Sequence, residues 1–150
     1  VNMTTVNQIL KVKGFAFFSV NPDQTVFEAL QMMAEKDVGA LMVMDKEGKL
    51  IGMFSERDYA RKLILHGFSS KVSKVGDIMS TELSTVNPNM STFECMAIMT
   101  EKHIRHLPVL DHNKLVGIVS IGDIGNQIIT EQLTTIKDLE KYITGSDYGH

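Results

Sequence analysis

Two short motifs carry the groups most able to do chemistry: Ser55-x-x-Asp58 and Ser120-x-x-Asp123. One carboxylate can accept hydrogen bonds from two neighbouring hydroxyls. A serine three residues earlier, at a helix entrance, sets its hydroxyl beside free backbone N–H groups, a setting that attracts anions. Aspartate in the first helical turn is also favoured by the helix dipole. The same spacing serves equally as a helix cap, with Asp in place of the usual Glu of a capping box, and the two uses are compatible. Beside the first motif, Arg57 and Arg61 lie four apart on one helix face. They either hold an anion together or belong to a solvated charged face. The second motif has Ile121, Gly122 and Gly125 where the first has Glu56, Arg57 and Ala60, and its nearby positive charge is Arg105-His106 instead.

Both motifs end a longer internal repeat. Val20-Asn21-Pro22 returns as Val86-Asn87-Pro88, an offset of 86 − 20 = 66, and Phe27-Glu28, Met33 and Glu35-Lys36 return as Phe93-Glu94, Met99 and Glu101-Lys102. One deletion near Gly48 lowers the offset to 65. Lys49-Leu50-x-Gly52-x-x-Ser55-x-x-Asp58 then reappears as Lys114-Leu115-x-Gly117-x-x-Ser120-x-x-Asp123. Two copies are too few for an open solenoid, so a closed, pseudo-symmetric pair is expected.

The elements that must position these groups follow from local pattern. Pro22 and Pro88 hold the preceding Asn out of helix, and Thr25 and Ser91 can cap helices. Val26, Phe27, Leu30, Met33 and Ala34 fall at helical spacing, as do Phe93, Met96, Ala97 and Met99, with stops near Asp37 and His103. Apolar runs 40–44 and 49–54 flank a Gly-containing turn and read as a hairpin, as do 106–110 and 114–119. Pro108 marks an edge strand or a strand start. Helices are expected over 56–66 and 122–132, and short amphipathic helices outside the repeats over 9–13 and 136–143. The predicted organisation is an N-terminal helical extension 1–18, repeat 19–67, connector 68–83, repeat 84–132, and a C-terminal helix and tail 133–150, fraying from Gly145.

At 150 residues and 43% hydrophobic content the chain can bury a real core. A net charge of −3 leaves no basic footprint for nucleic acid. Cys95 is the sole cysteine, so no intramolecular disulfide forms, in keeping with a reducing compartment. No stretch approaches the ~18 apolar residues of a membrane helix, and the N-terminus lacks signal-peptide regions, so a cytoplasmic location is expected. His66, His103, His112 and His150 show no metal-ligand spacing with Cys95, and no metal site is predicted. Most of the 10 methionines are expected in the core.

The stretch Arg105-His106-Leu107-Pro108-Val109-Leu110-Asp111, continuing through Leu115-Val116-Gly117-Ile118-Val119-Ser120-Ile121-Gly122-Asp123, resembles the CBS domain, and the repeat over about 19–132 resembles a tandem CBS pair, or Bateman module. The resemblance implies an α/β (α+β) fold of two pseudo-symmetric β-α-β-β-α repeats packed sheet to sheet. It implies ligand sensing without catalysis, usually of adenine nucleotides (AMP, ADP or ATP) and sometimes of NAD or S-adenosylmethionine. On this resemblance Asp58 and Asp123 take the ribose hydroxyls, and Ser55 and Ser120 contact ribose or phosphate. Arg57 and Arg61 would then suit a polyphosphate. Ser19 and Ser84-Thr85 reach adenine or phosphate unless they are only polar strand-edge residues. Arg105, His106 and Pro108, with Ala40 and Lys13 as weaker candidates, complete the implied set. His106 is otherwise a structural imidazole. The basic residues of the two repeats are expected to converge on one cleft. The family also implies a homodimer formed through helices and a regulated protein partner, with no nucleic acid and no membrane. A nucleotide-hydrolysing enzyme and a purely structural dimerisation module are the rival readings. No nucleophile–base grouping, phosphate loop or metal set favours the enzyme.

Overall fold

The proline-led, capped segments form the expected helices in the computed structural model, which describes residues 4–65, 67, 69 and 71–145. His66, His150 and the tail from 146 lie outside the described residues. In the first repeat, strand β1 (Ser19–Val20) pairs parallel with β2 (Ala40–Met44), which pairs antiparallel with β3 (Leu50–Ser55). Helix α2 (Val26–Lys36) joins β1 to β2. Its Thr25 cap and Glu28 form a reciprocal capping box, and Asp37 closes it in the left-handed conformation at φ 53°. The second repeat repeats each device. Helix α5 (Thr92–Lys102) is boxed by Ser91 and Glu94 and closed by His103 at φ 55°, ahead of the β4 (His106–Asp111) and β5 (Lys114–Ser120) hairpin. Pro108 stands inside β4, in a sheet of two strands, so the missing donor does not interrupt a sheet centre. The expected first strand of this copy is reduced to one parallel bridge, Val86 to Val109.

Three expectations for the helices are corrected. The C-terminal helix is not separate from the second repeat: α6 runs unbroken from Ile121 to Glu140 and ends in a π-turn, Lys141–Gly145. No glycine or proline interrupts 126–144, and the Thr130, Thr134 and Thr135 hydroxyls donate to carbonyls four residues back, so nothing competes with the helix. The first-copy equivalent is short. Helix α3 (Glu56–Asp58) passes directly into a π-helix, Tyr59–Ile64. The N-terminal helix starts earlier than its apolar spacing implied, at Val6, because Thr5 and Gln8 cap it; α1 is Val6–Lys13.

A fourth correction reaches furthest. Helix α1 and the connector helix α4 (Val75–Ile78) are not appendages outside the repeats. Val6, Ile9 and Leu10 are buried with Val86, Cys95, Met99, Leu107, Val109, Val119 and Ile124, the core of the second repeat. Val75 and Ile78 are buried with Val20, Val26, Leu41, Val43, Phe54 and Leu63, the core of the first. The segment before each repeat therefore completes the core of the other. The backbone contacts match: Val6 N–H donates to Met90 O and Asn7 N–H to Pro88 O, while Val75 N–H donates to Gln24 O and Gly76 N–H to Pro22 O. This exchange explains the repeated glycine. A Cβ on Gly117 would stand 3.0 Å from Leu10 Cδ2, and one on Gly52 would stand 2.6 Å from Met79 Sδ and 3.0 Å from Ser80 O. Gly52→Val accordingly overpacks the site, and a loss of about 1–3 kcal/mol is expected in urea denaturation; an unchanged midpoint would mean that α4 gives way freely.

Candidate functional site

The two Ser-x-x-Asp motifs sit where a strand turns into a helix, and both are capping boxes. Ser55 Oγ accepts from Asp58 N–H at 3.2 Å while Asp58 Oδ2 accepts from Ser55 N–H at 3.0 Å. Ser120 and Asp123 make the same exchange at 3.1 and 2.9 Å. Each helix entrance is tied to the loop before the repeat's hairpin, by Glu56 N–H to Gly39 O and by Ile121 N–H to Arg105 O. The cap reading is thus satisfied twice, and what separates the motifs is the rest of each carboxylate's surroundings.

A cavity of about 300 Å³, at the small end of ligand pockets, lies between the repeats, and Asp123 stands behind two of its lining residues, Lys13 and Ser120, bonded to both. Phe17, Phe18, Gly39, Ala40 and Met42 line it from the first repeat and the segment before it, and His106, Ile118 and Ser120 from the second. Lys13, the last residue of α1, reaches in from outside both. Its ammonium is 2.6 Å from Asp123 Oδ2 and donates to Ile118 O at 3.0 Å. Burial raises the Asp123 carboxyl, but the Lys13 contact and the Ser120 hydrogen bonds outweigh it and leave the group below its ordinary value. His106 stands against Gly39, where an added Cβ would be 3.7 Å from its ring. Burial, then the Lys13 charge, lowers its pKa more than Asp123 and Glu56 raise it, so the imidazole is neutral near pH 7.

That depression has a sign that can be checked. The unfolded chain holds a proton on His106 up to its ordinary value of 6.5, and the folded chain releases it sooner. Between the two values the unfolded state binds more protons, so stability falls as pH drops below about 6.5 and is flat in this respect above it. Melting temperatures across that window should slope downward on acidification, and His106→Gln should reduce the slope. An identical slope in the variant would exclude His106 as its source.

Asp58 is held differently. It is 8% exposed, and its Oδ1 accepts from Ser80 Oγ at 2.9 Å with Lys62 Nζ at 3.4 Å. Arg57 Nη1 donates to the His103 carbonyl, crossing to the second repeat two residues before Arg105. Arg61, Arg105, Thr85 and Ser19 are exposed and Pro108 is buried in β4. Of the residues singled out in the sequence, the structure gathers Lys13, Ala40, His106 and Ser120 around one cavity, with Asp123 bonded to Lys13 and Ser120 behind its lining. Ser55 and Asp58 stand in a separate cluster with Ser80 and Lys62. The aromatic wall at Phe17 and Phe18 and the Ser80 and Lys62 contacts were not anticipated. The Phe15-Ala16-Phe17-Phe18 run before the first repeat was the available signal for the wall. Among the described residues no three His, Cys, Asp or Glu side chains could hold one metal ion, and no helix is long and apolar enough to cross a membrane.

Two strand–helix repeats that exchange their leading segments and enclose a cleft beside the second Ser-x-x-Asp helix entrance define a tandem-repeat module. The chain belongs to the CBS domain family, whose profile matches residues 12–65 and 75–129. It is 39% identical to the mitochondrial CBS domain-containing protein CBSX3 of Arabidopsis thaliana over 150 residues, covering 95% of this chain and 73% of that protein. A CBS-domain protein of Burkholderia ambifaria is 47% identical and superposes with a TM-score of 0.82, covering 86% of this chain and 96% of that one. The CBS domain pair of protein MJ0100, solved with 5′-methylthioadenosine and S-adenosyl-L-methionine, is 22% identical with a TM-score of 0.75, covering 87% of this chain and 99% of that one. At that identity the likeness carries the fold alone.

Proposed function

We propose that the chain is a non-catalytic regulatory module that binds an adenosine-containing ligand (AMP, ATP or NAD) between its two repeats and signals to a partner protein in the cytoplasm. The observation that carries this reading is the cleft at Asp123. It combines the Ser120 hydroxyl at a helix entrance, an aromatic and apolar wall at Phe17, Phe18, Ala40 and Met42, and, bonded to the lining residues Ser120 and Lys13, the Asp123 carboxylate. The carboxylate suits the two ribose hydroxyls, the hydroxyl and helix entrance suit a phosphate, and the apolar wall suits a base. The MJ0100 pair holds two adenosyl compounds on the same fold. The counterpart group, Ser55, Arg57, Asp58 and Arg61 with Thr85, Arg105, Pro108 and Ser19, is the lesser site in this reading, because Asp58 already accepts from Ser80 and Ser55. Since the cleft has a wall from each repeat, a ligand that prefers one relative orientation shifts the population toward it.

Calorimetric titration of the nucleotide-free chain with AMP, ATP and NAD tests the reading. Saturable binding without turnover is expected, and Asp123→Ala should weaken it by about 1–3 kcal/mol, the worth of a hydrogen bond to a charged group. Equal affinity in a folded variant would leave Asp123 a helix cap only. Steady, protein-proportional release of product would support the hydrolase instead.

A second copy of the chain is the proposed occupant of the apolar stripe on α6. Ile129, Leu133, Ile136, Leu139 and Ile143 are each at least half exposed and recur every three or four residues. Antiparallel pairing centred on Ile136 sets Ile129 against Ile143 and Leu133 against Leu139. Ile136→Glu should convert a dimer to a monomer in sedimentation velocity, and an unchanged species would place any dimer contact elsewhere.

A further inference from the structure

We infer that Lys13 sets the charge preference of the Asp123 cleft: its ammonium neutralises Asp123 while the cleft is empty and passes to the ligand's phosphate when a ribose takes that carboxylate. The inference rests on the adenosine reading above and names the ligand class within it, phosphorylated rather than neutral or cationic adenosyl compounds.

The geometry demands some such exchange. Asp123 cannot offer its carboxylate fully to two ribose hydroxyls while an ammonium sits 2.6 Å from Oδ2. Yet that ammonium has somewhere to go. Lys13 ends α1, whose Val6, Ile9 and Leu10 are anchored in the second core, so its backbone is fixed at the cavity rim while a four-carbon stem swings. About a third of the side chain is exposed, and an accessible ion pair of this kind is worth little. Releasing it therefore costs the ligand little, and the freed charge can be returned to a phosphate as a charge-assisted hydrogen bond.

The remaining charges at the cavity make Lys13 decisive. Among the described residues lining it, Lys13 alone has a fixed positive charge, and Asp37 is negative. His106 lines the cavity but is neutral near pH 7, and Arg57 is engaged at the His103 carbonyl. Without Lys13 none of the described residues lining the cavity offers an entering phosphate a fixed positive charge. With it, a sulfonium ligand meets a like charge.

The test is calorimetric titration of the full chain and of Lys13→Met with AMP, ATP, adenosine, 5′-methylthioadenosine and S-adenosylmethionine. Methionine keeps most of the stem and removes the charge, and Lys13 lies outside the core, so the variant should fold. The wild type should prefer AMP and ATP. Lys13→Met should lose about tenfold or more for these two, the usual worth of a charged hydrogen bond, while adenosine and 5′-methylthioadenosine hold or tighten. Lys13→Arg should keep the wild-type order. Parallel losses for charged and neutral ligands, no change at all, or a wild-type preference for the sulfonium would overturn the inference and leave adenosine binding standing. Silence of the wild type toward all five would remove the binding reading and this inference with it.

Discussion

Replacing Leu10 by alanine will destabilise the chain by about 2–5 kcal/mol, the range for emptying a fully buried leucine site. Leu10 is one of the largest side chains with no exposure, and it fills the space left by the missing side chain of Gly117. The cavity cannot close easily, because Val6 and Asn7 on the same helix donate backbone hydrogen bonds to Met90 and Pro88. The diagnostic result is where protection is lost. Hydrogen exchange should quicken first in α5, β4 and β5, far along the chain, while β2 and β3, nearer in sequence, keep theirs. The opposite order would falsify the exchange of leading segments between the repeats. The urea midpoint gives the magnitude, and a loss below about 1 kcal/mol would mean that α1 adheres only loosely.

Asp58→Ala will cost about 2–4 kcal/mol, more than the same change at Asp123, although the two residues occupy equivalent positions in the repeat. Asp58 Oδ2 accepts from the Ser55 N–H and hydroxyl, and Oδ1 accepts from Ser80, so alanine removes the side-chain half of the capping box and strands donors in a site only 8% exposed. Lys62, at 3.4 Å and partly exposed, adds little. Asp58→Asn retains an acceptor and should recover part of the loss. Asp123 is more open and is tied to the solvent-accessible Lys13, so its alanine variant should show its main effect in ligand affinity. If the two alanine variants lost stability equally, the division of labour between the motifs would fail.

The repeat, the caps and the hairpins were legible because each depends on neighbours in sequence. Thr25 with Glu28 and Ser91 with Glu94 announce their helices, and Asp37 and His103 end them in the left-handed turn that small polar residues and His tolerate. What could not be read was the partner of α1, since Leu10 meets Gly117 across most of the chain's length. The signal was nonetheless present. Val6-x-x-Ile9-Leu10 returns as Val75-x-x-Ile78-Met79, an offset of 75 − 6 = 69 that differs from the 66 of the neighbouring repeat and so escapes a fixed-period comparison. The candidate site divides in the same way. Ser120 and Asp123 follow from a local motif, whereas Lys13 reaches them only through α1, and Ser80 reaches Asp58 only through α4. His106 lines the cavity and its neighbour Arg105 does not, a split between adjacent residues that composition could not show.

The crossed placement of α1 also bears on synthesis. The helix is made before either repeat, yet β5 and α6, which complete the pocket for Leu10 and Val6, leave the ribosome more than a hundred residues later. At about 5–20 residues per second this is a wait on the order of 5–20 s. During that interval Val6, Ile9 and Leu10 form an apolar strip whose native pocket is incomplete. The first repeat meets a shorter delay, since α4 follows it within about 20 residues. Vectorial emergence from the tunnel thus leaves α1 exposed longer than α4, and it is there that a nascent-chain chaperone would find its hold.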